Sequence, residues 1–420
     1  MKSRVTPFKR WDVEDNYDVI VIGSGIGGLT TASLLSRLAG MKVLVLEQHY
    51  EPGGFTHTFK RPGFEWDVGV HYIGGVHPKT MLGKLFDLIT DGTLSWEDMG
   101  EVYDRAIVGD FSFDFRKGRK NLVADLKAAF PDEHDAIDAY FARVKEATQA
   151  SGMFFLEKLL PPAISALIGG QVTANFDKIA SKTTEEVLDG LTDNALLRAV
   201  LTTQWGDYGL PPSRSSFAMH AMVAAHYFYG AYYPVGGSSR IAESILPVIE
   251  EAGGKVLVRA TVSSVLVENN TAVGVKMEDG REIRAPFIVS NAGASNTFEH
   301  LVPPSVRQKF GLTDVFRKVR PSAAHLCLYL GFDETADALG LERANLWITP
   351  DEELDHNIAR SARESSAPLP VVYVSFPAAK DPDFTRKFPG KATVEAITNV
   401  RNMRWVAKWE TPWKQRGNDF

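Results

Sequence analysis

The sequence predicts an α/β fold in which a Rossmann-like nucleotide-binding domain is interrupted by an inserted substrate domain. Two observations predict it: a strand–turn–helix–strand unit lies near the start of the chain, and short strands return after a long stretch of helical pattern. The 420 residues suffice for two or three domains of about 150 residues each. We expect residues 1–78 and 234–300 to form the nucleotide-binding domain. The substrate domain then comprises residues 79–233, mainly helical, and residues 301–420.

Composition and charge exclude several classes of protein. The 46 Lys and Arg residues against 52 Asp and Glu residues give a net charge of −6, so no basic field favours nucleic acid. The single cysteine, Cys327, excludes a disulfide framework and a cysteine-rich metal centre. The first residues lack the apolar stretch of a secretory signal, and no apolar run is long enough to span a bilayer. We therefore expect a cytoplasmic protein, either soluble or bound peripherally to a membrane.

The unit near the start of the chain has the pattern of a dinucleotide-binding turn. Residues 18–22 form an apolar run typical of a buried parallel strand, and a helical pattern and a second apolar run follow at 29–38 and 42–47. Between the first strand and the helix, residues 23–28 read Gly-x-Gly-x-x-Gly. The first glycine permits a tight turn, the second lets backbone approach a pyrophosphate, and the third allows close packing of helix on strand. The helix N-terminus stabilises the phosphate charge.

Two further features extend this candidate site. Glu47 ends the second strand, where a carboxylate can accept a hydrogen bond from a ribose hydroxyl. The following pair Gly53-Gly54 would let the backbone pass close to a cofactor that extends beyond its adenosine half. This arrangement resembles flavoproteins such as amine oxidases and phytoene desaturases, so we expect FAD, with NAD as the open alternative. The candidate cofactor-binding residues are Gly23, Ser24, Gly25, Gly27, Gly28, Glu47, Gln48, Gly53, Gly54 and Phe55.

The rest of the chain predicts helices and short strands without an internal repeat. Amphipathic patterns predict helices at 120–130, 133–148 and 241–251. Short apolar runs predict strands at 255–259, 262–268, 272–278, 282–283, 287–290, 324–330 and 371–376. The pair Asp279-Gly280 is a hairpin turn signal within this block.

Several strings are similar to one branch of a known flavoprotein family. They are residues 57–59, 64–74, 216–221, 233–239, 289–293 and 414–419. In them the chain resembles the retinol saturase (all-trans-retinol 13,14-reductase) branch, which lies near phytoene desaturases and carotenoid isomerases, and the likeness extends from Tyr17 onward. It implies FAD in a glutathione reductase-type fold, and hydride exchange between flavin and a carbon–carbon double bond of an apolar polyene or isoprenoid. It also implies a main-chain contact to the adenine side at Val262.

The sequence departs from that branch at two places. Phe55 stands where desaturase relatives often carry Arg. Members of the branch continue further and close with a Gly-rich segment that completes the flavin site, whereas no such segment follows residue 390 here. We therefore expect either a fragment or an incomplete flavin site.

His71 and Tyr72 are the candidate catalytic residues, because the resemblance implies that their segment lies near the isoalloxazine. Saturating a double bond needs a proton donor, and a histidine can supply one near neutral pH. The alternative is that His71 hydrogen-bonds backbone and shapes the pocket while Tyr72 packs against it. His49, His57 and His77 lie nearby, but no helical pair and no acid or cysteine completes a ligand set, so we expect no metal.

Two apolar stretches have two interpretations each. Residues 218–233 could line a tunnel for a long hydrocarbon or form an ordinary buried helix. Residues 153–170 could dip into a membrane interface, where an apolar substrate dissolves, or pack in the core. The side chains expected at the membrane are Phe154, Phe155, Leu159 and Leu160.

These inferences predict an FAD-dependent oxidoreductase that saturates or desaturates a double bond of a retinoid, carotenoid or related lipid. NAD(P)H is a candidate electron donor, although no second nucleotide motif is visible. One alternative is a carotenoid isomerase that uses reduced flavin without net redox change. The other is a non-catalytic lipid-binding protein with a disabled flavin site.

Overall fold

The structure, a computed structural model, describes residues 5–11, 16–312, 319, 322–364 and 366–400. In this part of the chain the strands are β1 (Thr6–Pro7), β2 (Val19–Ile22), β3 (Val43–Leu46), β4 (Thr58–Arg61), β5 (Phe64–Asp67), β6 (Ile73–Gly74), β7 (Trp96–Asp98), β8 (Val102–Val108), β9 (Phe111–Arg116), β10 (Ala231–Pro234), β11 (Lys255–Val258), β12 (Val262–Glu268), β13 (Thr271–Met277), β14 (Glu282–Arg284), β15 (Phe287–Ser290), β16 (Ala324–Phe332), β17 (Asn345–Thr349), β18 (Val372–Ser375) and β19 (Ala392–Val400).

The α-helices of the same ranges are α1 (Ile26–Ala39), α2 (Met81–Thr90), α3 (Arg119–Ala129), α4 (His134–Glu157), α5 (Pro162–Ala180), α6 (Thr184–Asp189), α7 (Ala195–Leu201), α8 (Phe217–His226), α9 (Ser239–Glu251), α10 (Pro304–Phe310), α11 (Leu354–Arg363), α12 (Pro377–Lys380) and α13 (Phe384–Lys387). Short 3-10 segments occupy Phe8–Arg10, Gly54–Thr56 and Thr203–Asp207, and a π-helical turn occupies Asn296–Leu301.

A five-stranded parallel sheet carries the first glycine turn. Its strand order is β1-β11-β3-β2-β15, and every pairing in it is parallel. Helices α1, α2 and α9 cover one face, and the hairpin strands β12–β14 cover the other. Both faces are therefore buried, which explains why β2 and β3 are continuous apolar runs instead of alternating patterns. Each fully buried Val, Leu or Ile side chain there contributes roughly 1.5–3 kcal/mol.

A six-stranded mixed sheet forms the second layer, in the order β16-β19-β18-β17-β8-β9. Its only parallel pair among the described strands joins β8 to β17, which lie more than 230 residues apart in sequence. Helices α3, α4 and α8 pack on this sheet through a cluster rich in aromatic side chains.

The segment expected to be mainly helical, 79–233, also contains strands β7–β10. The sequence signal for β9 is the alternation of Phe111, Phe113 and Phe115, in which Phe113 and Phe115 are buried. Helix α2 lies in the same segment but packs with α1 and α9 on the parallel sheet. The division of the chain into domains stays a prediction.

Most of the expected elements are present with shifted ends. The helices expected at 120–130, 133–148 and 241–251 correspond to α3, α4 and α9, and α4 continues to Glu157. No helix in the described ranges is long and apolar enough to cross a membrane. The similar string at 414–419 lies outside the described residues.

Candidate active site

The glycine turn after β2 has no room for side chains. Gly23 has a φ of +93°, which favours glycine, and α1 begins immediately after Gly25. A Cβ atom on Gly28 would lie 2.2 Å from the carbonyl oxygen of Gly23, so only glycine allows α1 to pack this closely on the turn. The backbone N–H groups at the start of α1 are thereby available to an anion.

Asn291 lies over the same turn and was not among the expected site residues. Its backbone N–H donates to the Ile22 carbonyl at 2.7 Å, directly after β15. Cβ atoms on Gly25 and Gly27 would lie 3.1 and 2.8 Å from its side-chain amide atoms. Its position at the carboxyl end of a parallel strand beside β2 is the signal that could have identified it.

The second glycine pair lies directly on the first turn. Gly53 and Gly54 have φ values of +117° and +58°. The Gly53 N–H donates to the Ser24 carbonyl at 3.0 Å, and a Cβ on Gly54 would lie 2.9 Å from the Cα of Gly25. The two turns therefore form one glycine cradle, defined here as residues 23–28 and 53–54.

Glu47 is buried at the edge of the cradle. Its Oε2 accepts hydrogen bonds from the Ser24 N–H at 2.8 Å and the Ser24 hydroxyl at 2.6 Å, and its Oε1 accepts from the His49 N–H at 2.7 Å. The segment before β12 lies alongside, because the Ala260 N–H donates to the Glu47 carbonyl at 2.8 Å. Gln48 is exposed and Val262 is buried. Their contacts with a cofactor stay predictions.

The cradle fits a dinucleotide. Gly25 and Gly27 carry no side chains at the α1 N-terminus, where their Cβ atoms would meet Asn291. Glu47 presents carboxylate oxygens at the end of the neighbouring strand. The residues present are thus compatible with a pyrophosphate at the turn and a ribose at Glu47.

A cavity of about 960 Å³ begins where the cradle ends. Phe55 follows the second glycine pair, is 76% exposed and lines this cavity. A Cβ on Gly69 would lie 2.9 Å from the Cβ of Phe55. Phe55 therefore packs directly on the cavity wall at residues 68–73, so the cradle and the cavity are adjacent. A cofactor longer than its adenosine half would therefore extend into this space.

Aromatic side chains form much of the cavity wall. The Tyr72 ring stacks on Tyr227 with centroids 4.7 Å apart, and Tyr373 lies 4.6 Å from Trp347. The Tyr72 hydroxyl donates to Asp104 Oδ2 at 2.9 Å, so this hydroxyl is already engaged in the buried interior. Such a wall suits an extended apolar ligand.

His71 lies in the cavity wall and is held by a buried acid. Its Nδ1 is 2.6 Å from Oε2 of Glu395, whose side chain is fully buried in β19. The contact fixes the ring orientation and leaves Nε2 as the ring nitrogen that is available to a ligand in the cavity. Glu395 was not expected from the sequence; an acid in the middle of the apolar strand Ala392–Val400 is the signal that could have identified it.

A second acid accompanies this pair. Asp67 donates its backbone N–H to Glu395 Oε1 at 2.7 Å, and its carboxylate accepts from the Tyr233 hydroxyl at 2.5 Å and the Ser238 N–H at 3.0 Å. Burial, together with the neighbouring Glu395, raises the pKa of Asp67 to about 6.

The expectation that no acid completes a possible ligand set with the histidines is therefore wrong at His71. Polar atoms of Asp67, His71 and Glu395 lie within 4.8 Å of one another, a spacing that a metal ion could also use. Each carboxylate oxygen, however, already accepts a hydrogen bond from the protein. We interpret the cluster as an acid–base network; the absence of a metal stays a prediction.

Lys380 is the buried cation of this network. Its buried Nζ donates to the His71 carbonyl at 2.9 Å, to Asn345 Oδ1 at 2.5 Å and to the Ser375 hydroxyl at 2.6 Å. Burial lowers the pKa of Lys380 to about 8, against the raising effect of Glu395 and two aspartates. Of Asp67, His71, Lys380 and Glu395, His71 lines the cavity and the other three are buried behind it. We call the four residues together the cavity floor.

The other nearby histidines occupy different places. The His49 and His57 rings lie 4.8 Å apart beside the cradle, whereas His77 is exposed. His226 lines the cavity and accepts a hydrogen bond from the Gly74 N–H at 2.8 Å. Burial lowers the pKa of His226 to about 4, which keeps it a neutral acceptor.

The stretch 218–233 lies partly in the cavity wall and partly in the core, and its role as a hydrocarbon tunnel stays a prediction. Met222 and Val223 line the cavity, while Ala218 and Ala221 are buried in the core behind it. Helix α8 ends at His226 and the chain returns as β10.

The stretch 153–170 spans the end of α4 and the first half of α5. Phe155 is 54% exposed and Leu159 is 81% exposed, whereas Phe154 stacks on Phe176 with centroids 4.3 Å apart and Leu160 is half-buried. Helix α5 has no buried residue. Phe154 thus packs against α5 without being buried in the core, and core packing is wrong for Phe155 and Leu159.

The chain resembles known proteins along nearly its whole length. The model of the family described as flavin containing amine oxidoreductase matches residues 26–399. An all-trans-retinol 13,14-reductase from Danio rerio is 37% identical over 425 residues, which cover 97% of this chain and 70% of that protein. An inactive all-trans-retinol 13,14-reductase from the same species is 35% identical, with the same coverage of both chains.

More distant similarities agree with this placement. A chloroplastic prolycopene isomerase from Daucus carota is 29% identical over 303 residues, 68% of this chain and 48% of that protein. The crystal structure of an oxidoreductase from Methanosarcina mazei superposes with a TM-score of 0.61 at 18% identity, over 96% of this chain and 83% of the other. The fold class expected from the sequence is confirmed.

Proposed function

Because the chain belongs to the flavin containing amine oxidoreductase family, and within it to the group of all-trans-retinol 13,14-reductases, we propose that it saturates a carbon–carbon double bond of a retinoid. The coarser activity is that of an FAD-dependent oxidoreductase acting on polyene double bonds. The observation that supports the finer proposal is the His71–Glu395 pair, 2.6 Å apart, in the wall of an aromatic cavity that adjoins the glycine cradle.

Each part of the site has a role in this reaction. FAD, when bound, supplies the hydride exchange with the double bond. The glycine cradle would hold its pyrophosphate and Glu47 its ribose, as their positions allow. The aromatic wall orients the polyene and excludes water from the reacting carbons.

His71 provides the proton that saturation requires. With Nδ1 held by Glu395, the imidazolium carries its second proton at Nε2 and delivers it to the carbon that does not receive the hydride. The double bond thereby gains one hydride and one proton, and His71 recovers its proton from solvent. In the reverse direction the neutral ring accepts a proton from carbon. Tyr72 contributes its ring to the wall, since its hydroxyl donates to Asp104.

The direction and the electron donor are the finer parts of the proposal. Saturation is favoured over isomerisation because the reductase is 37% identical to this chain and the isomerase 29%. NAD(P)H is the proposed donor. Anaerobic mixing with NADH, NADPH or dithionite, followed by the flavin absorption, identifies which of them reduces the protein.

The first experiment is the visible absorption of the purified protein with added FAD, followed by anaerobic reoxidation of the reduced flavin by all-trans-retinol. We expect bound flavin bands and reoxidation with formation of a saturated product. His71→Gln should slow reoxidation about 100-fold without loss of flavin, since general acids contribute 10²–10⁴-fold. His77→Gln, at an exposed position, is the matched control.

Three results would contradict the proposal. A colourless protein that binds retinol but no FAD would support a lipid-binding protein instead. Polyene isomerisation without consumption of donor would support an isomerase. Unchanged reoxidation in His71→Gln would remove the proposed proton donor.

We also propose that the exposed apolar surface of α4 and α5 contacts a membrane, from which an apolar substrate is taken. Phe155, Leu159 and Leu167 are 54%, 81% and 84% exposed, and α5 packs against α8, which lines the cavity. Co-sedimentation with liposomes should fall in Phe155→Asp and Leu159→Asp but not in Met81→Asp, an 84% exposed position on α2. Equal sedimentation of all three variants would contradict it.

A further inference from the structure

We propose that Asp207 recognises the hydroxyl end group of the substrate and so makes the site selective for polyene alcohols. The inference rests on the proposed function and deepens it. Asp207 lies at the end of the 3-10 segment Thr203–Asp207 and lines the cavity. It is the only carboxylate among the described residues of that wall.

Two neighbouring acids differ in how their oxygens are used. Asp104 is fully buried and accepts hydrogen bonds from Tyr72 at 2.9 Å, from Gln204 at 2.7 Å and from Asn345 at 2.9 Å. Asp207 is exposed to the cavity and accepts from the Tyr227 hydroxyl through Oδ2 at 3.2 Å. Asp104 is therefore saturated by the protein, whereas Asp207 keeps acceptor capacity for a ligand.

The surroundings of Asp207 make a polar contact there selective. Its neighbours in the wall include Tyr227, Trp347 and Tyr373, whose rings suit a hydrocarbon chain. A polyene with a terminal hydroxyl would place its chain against these rings and its polar end at the carboxyl group. A ligand without a hydroxyl would desolvate the carboxyl group without supplying a partner for its remaining acceptor sites, which disfavours binding.

Both protonation states of Asp207 can bind an alcohol, but only the carboxylate discriminates against an ester. Burial in the wall, with Asp104 nearby, raises the pKa of Asp207 to about 7. The carboxylate accepts a hydrogen bond from an alcohol, and the neutral acid donates one or accepts one. An ester oxygen cannot donate, so a carboxylate would discriminate against an ester of the same polyene.

The test compares Kd values for all-trans-retinol, retinyl acetate and a hydrocarbon polyene of similar length, measured by ligand fluorescence on the FAD-loaded protein. We expect the wild-type protein to prefer the alcohol about 10- to 100-fold, the ratio that one hydrogen bond to a charged group provides. Asp207→Leu should abolish the preference, and Asp207→Asn, a neutral amide that can still bind the alcohol but can also donate to the ester, should retain only part of it. Asp132→Asn, at an exposed turn between α3 and α4, is the charge-matched control.

Binding and turnover separate this inference from the proposed function. An alcohol preference that Asp207→Leu retains would overturn the role of Asp207, even if the protein reduces retinol. Loss of FAD from both Asp207 variants would also overturn it, because the residue would then serve the cofactor. A wild-type protein that prefers the alcohol yet reduces no polyene would contradict the proposed function and leave the recognition by Asp207 supported.

Discussion

The glycine cradle and the cavity floor are built in opposite ways. In the cradle, Ser24 bonds Glu47 and Gly53, which lie 23 and 29 residues away. In the floor, Glu395 holds His71 and Asp67 across 324 and 328 residues. The cradle depends on backbone conformation within one βαβ unit, and the floor depends on charges that two sheets bring together.

Because of this difference, the cradle can be recognised in the sequence and the cavity floor cannot. A turn that needs positive φ and close helix packing restricts its residues to glycine, and this restriction is visible in the sequence. A buried ion network requires only that the charges of its members balance one another. In the sequence, each member therefore looks like an ordinary Asp, Glu or Lys. The following variants test this contrast, in order of decreasing loss.

Lys380→Met should be the most damaging change, because it removes the cation of the floor. The carboxylates of Asp67 and Glu395 would lose their buried counter-charge, and the His71 carbonyl would lose a donor. We expect a loss of about 3–5 kcal/mol of unfolding free energy, measured by urea denaturation. Lys120→Met, at an exposed position of α3, should change it little. A small loss in Lys380→Met would show that the floor is not held together by charge.

Gly28→Ala should break the cradle while sparing the floor. Its Cβ would lie 2.2 Å from a backbone oxygen, so α1 must move away from the turn. We expect FAD affinity to fall about 100-fold in a titration, as the helix N-terminus shifts from the pyrophosphate. Gly152→Ala is the control, because its Cβ would meet no atom within 4 Å. Unaltered FAD affinity would mean that the cradle tolerates displacement of its helix.

His220→Gln tests whether burial lowers the pKa of a histidine that lies outside the cradle and the cavity floor. His220 contacts the Tyr140 hydroxyl at 2.8 Å and the Tyr208 hydroxyl at 3.1 Å, and burial lowers the pKa of His220 to about 4. The unfolded chain then binds more protons than the folded one, so the stabilisation present above pH 6.5 is lost as the pH falls towards 4.

Between pH 7 and pH 5 the wild-type protein should lose about 2 kcal/mol more unfolding free energy than the His220→Gln variant. Denaturation curves at the two pH values measure the difference, with His356→Gln as an exposed control. Parallel losses in wild type and variant would show that the pKa of His220 is not lowered.

Glu47→Gln should have the smallest effect. Glutamine keeps one oxygen for the Ser24 N–H but presents an amide in place of the second acceptor. We expect FAD to bind about tenfold more weakly, as one charge-assisted hydrogen bond is lost. The exposed Glu51→Gln variant is the control. A loss of FAD affinity as large as that in Gly28→Ala would show that Glu47 contributes as much to FAD binding as the glycine turn does.

The fold class and the cradle could be predicted from the amino-acid sequence. The runs at β2 and β3, the glycines between them and Glu47 occupy neighbouring positions of the chain, and local steric rules restrict their identity. The family resemblance added the flavin and the polyene chemistry, and it pointed to His71. Strands β8 and β9 were missed although Phe113 and Phe115 alternate, because helical patterns dominate the segment around them.

The surroundings of His71 and Asp207 could not be predicted from the sequence, because they depend on long-range packing. Strand β19 brings Glu395 to His71, and the parallel pairing of β8 with β17 places Asp104 beside Asn345. No local rule links residues more than 200 positions apart, since their contact follows from how the two sheets pack. The fold therefore decides whether the oxygens of an acid are hydrogen-bonded by the protein or remain available to a ligand.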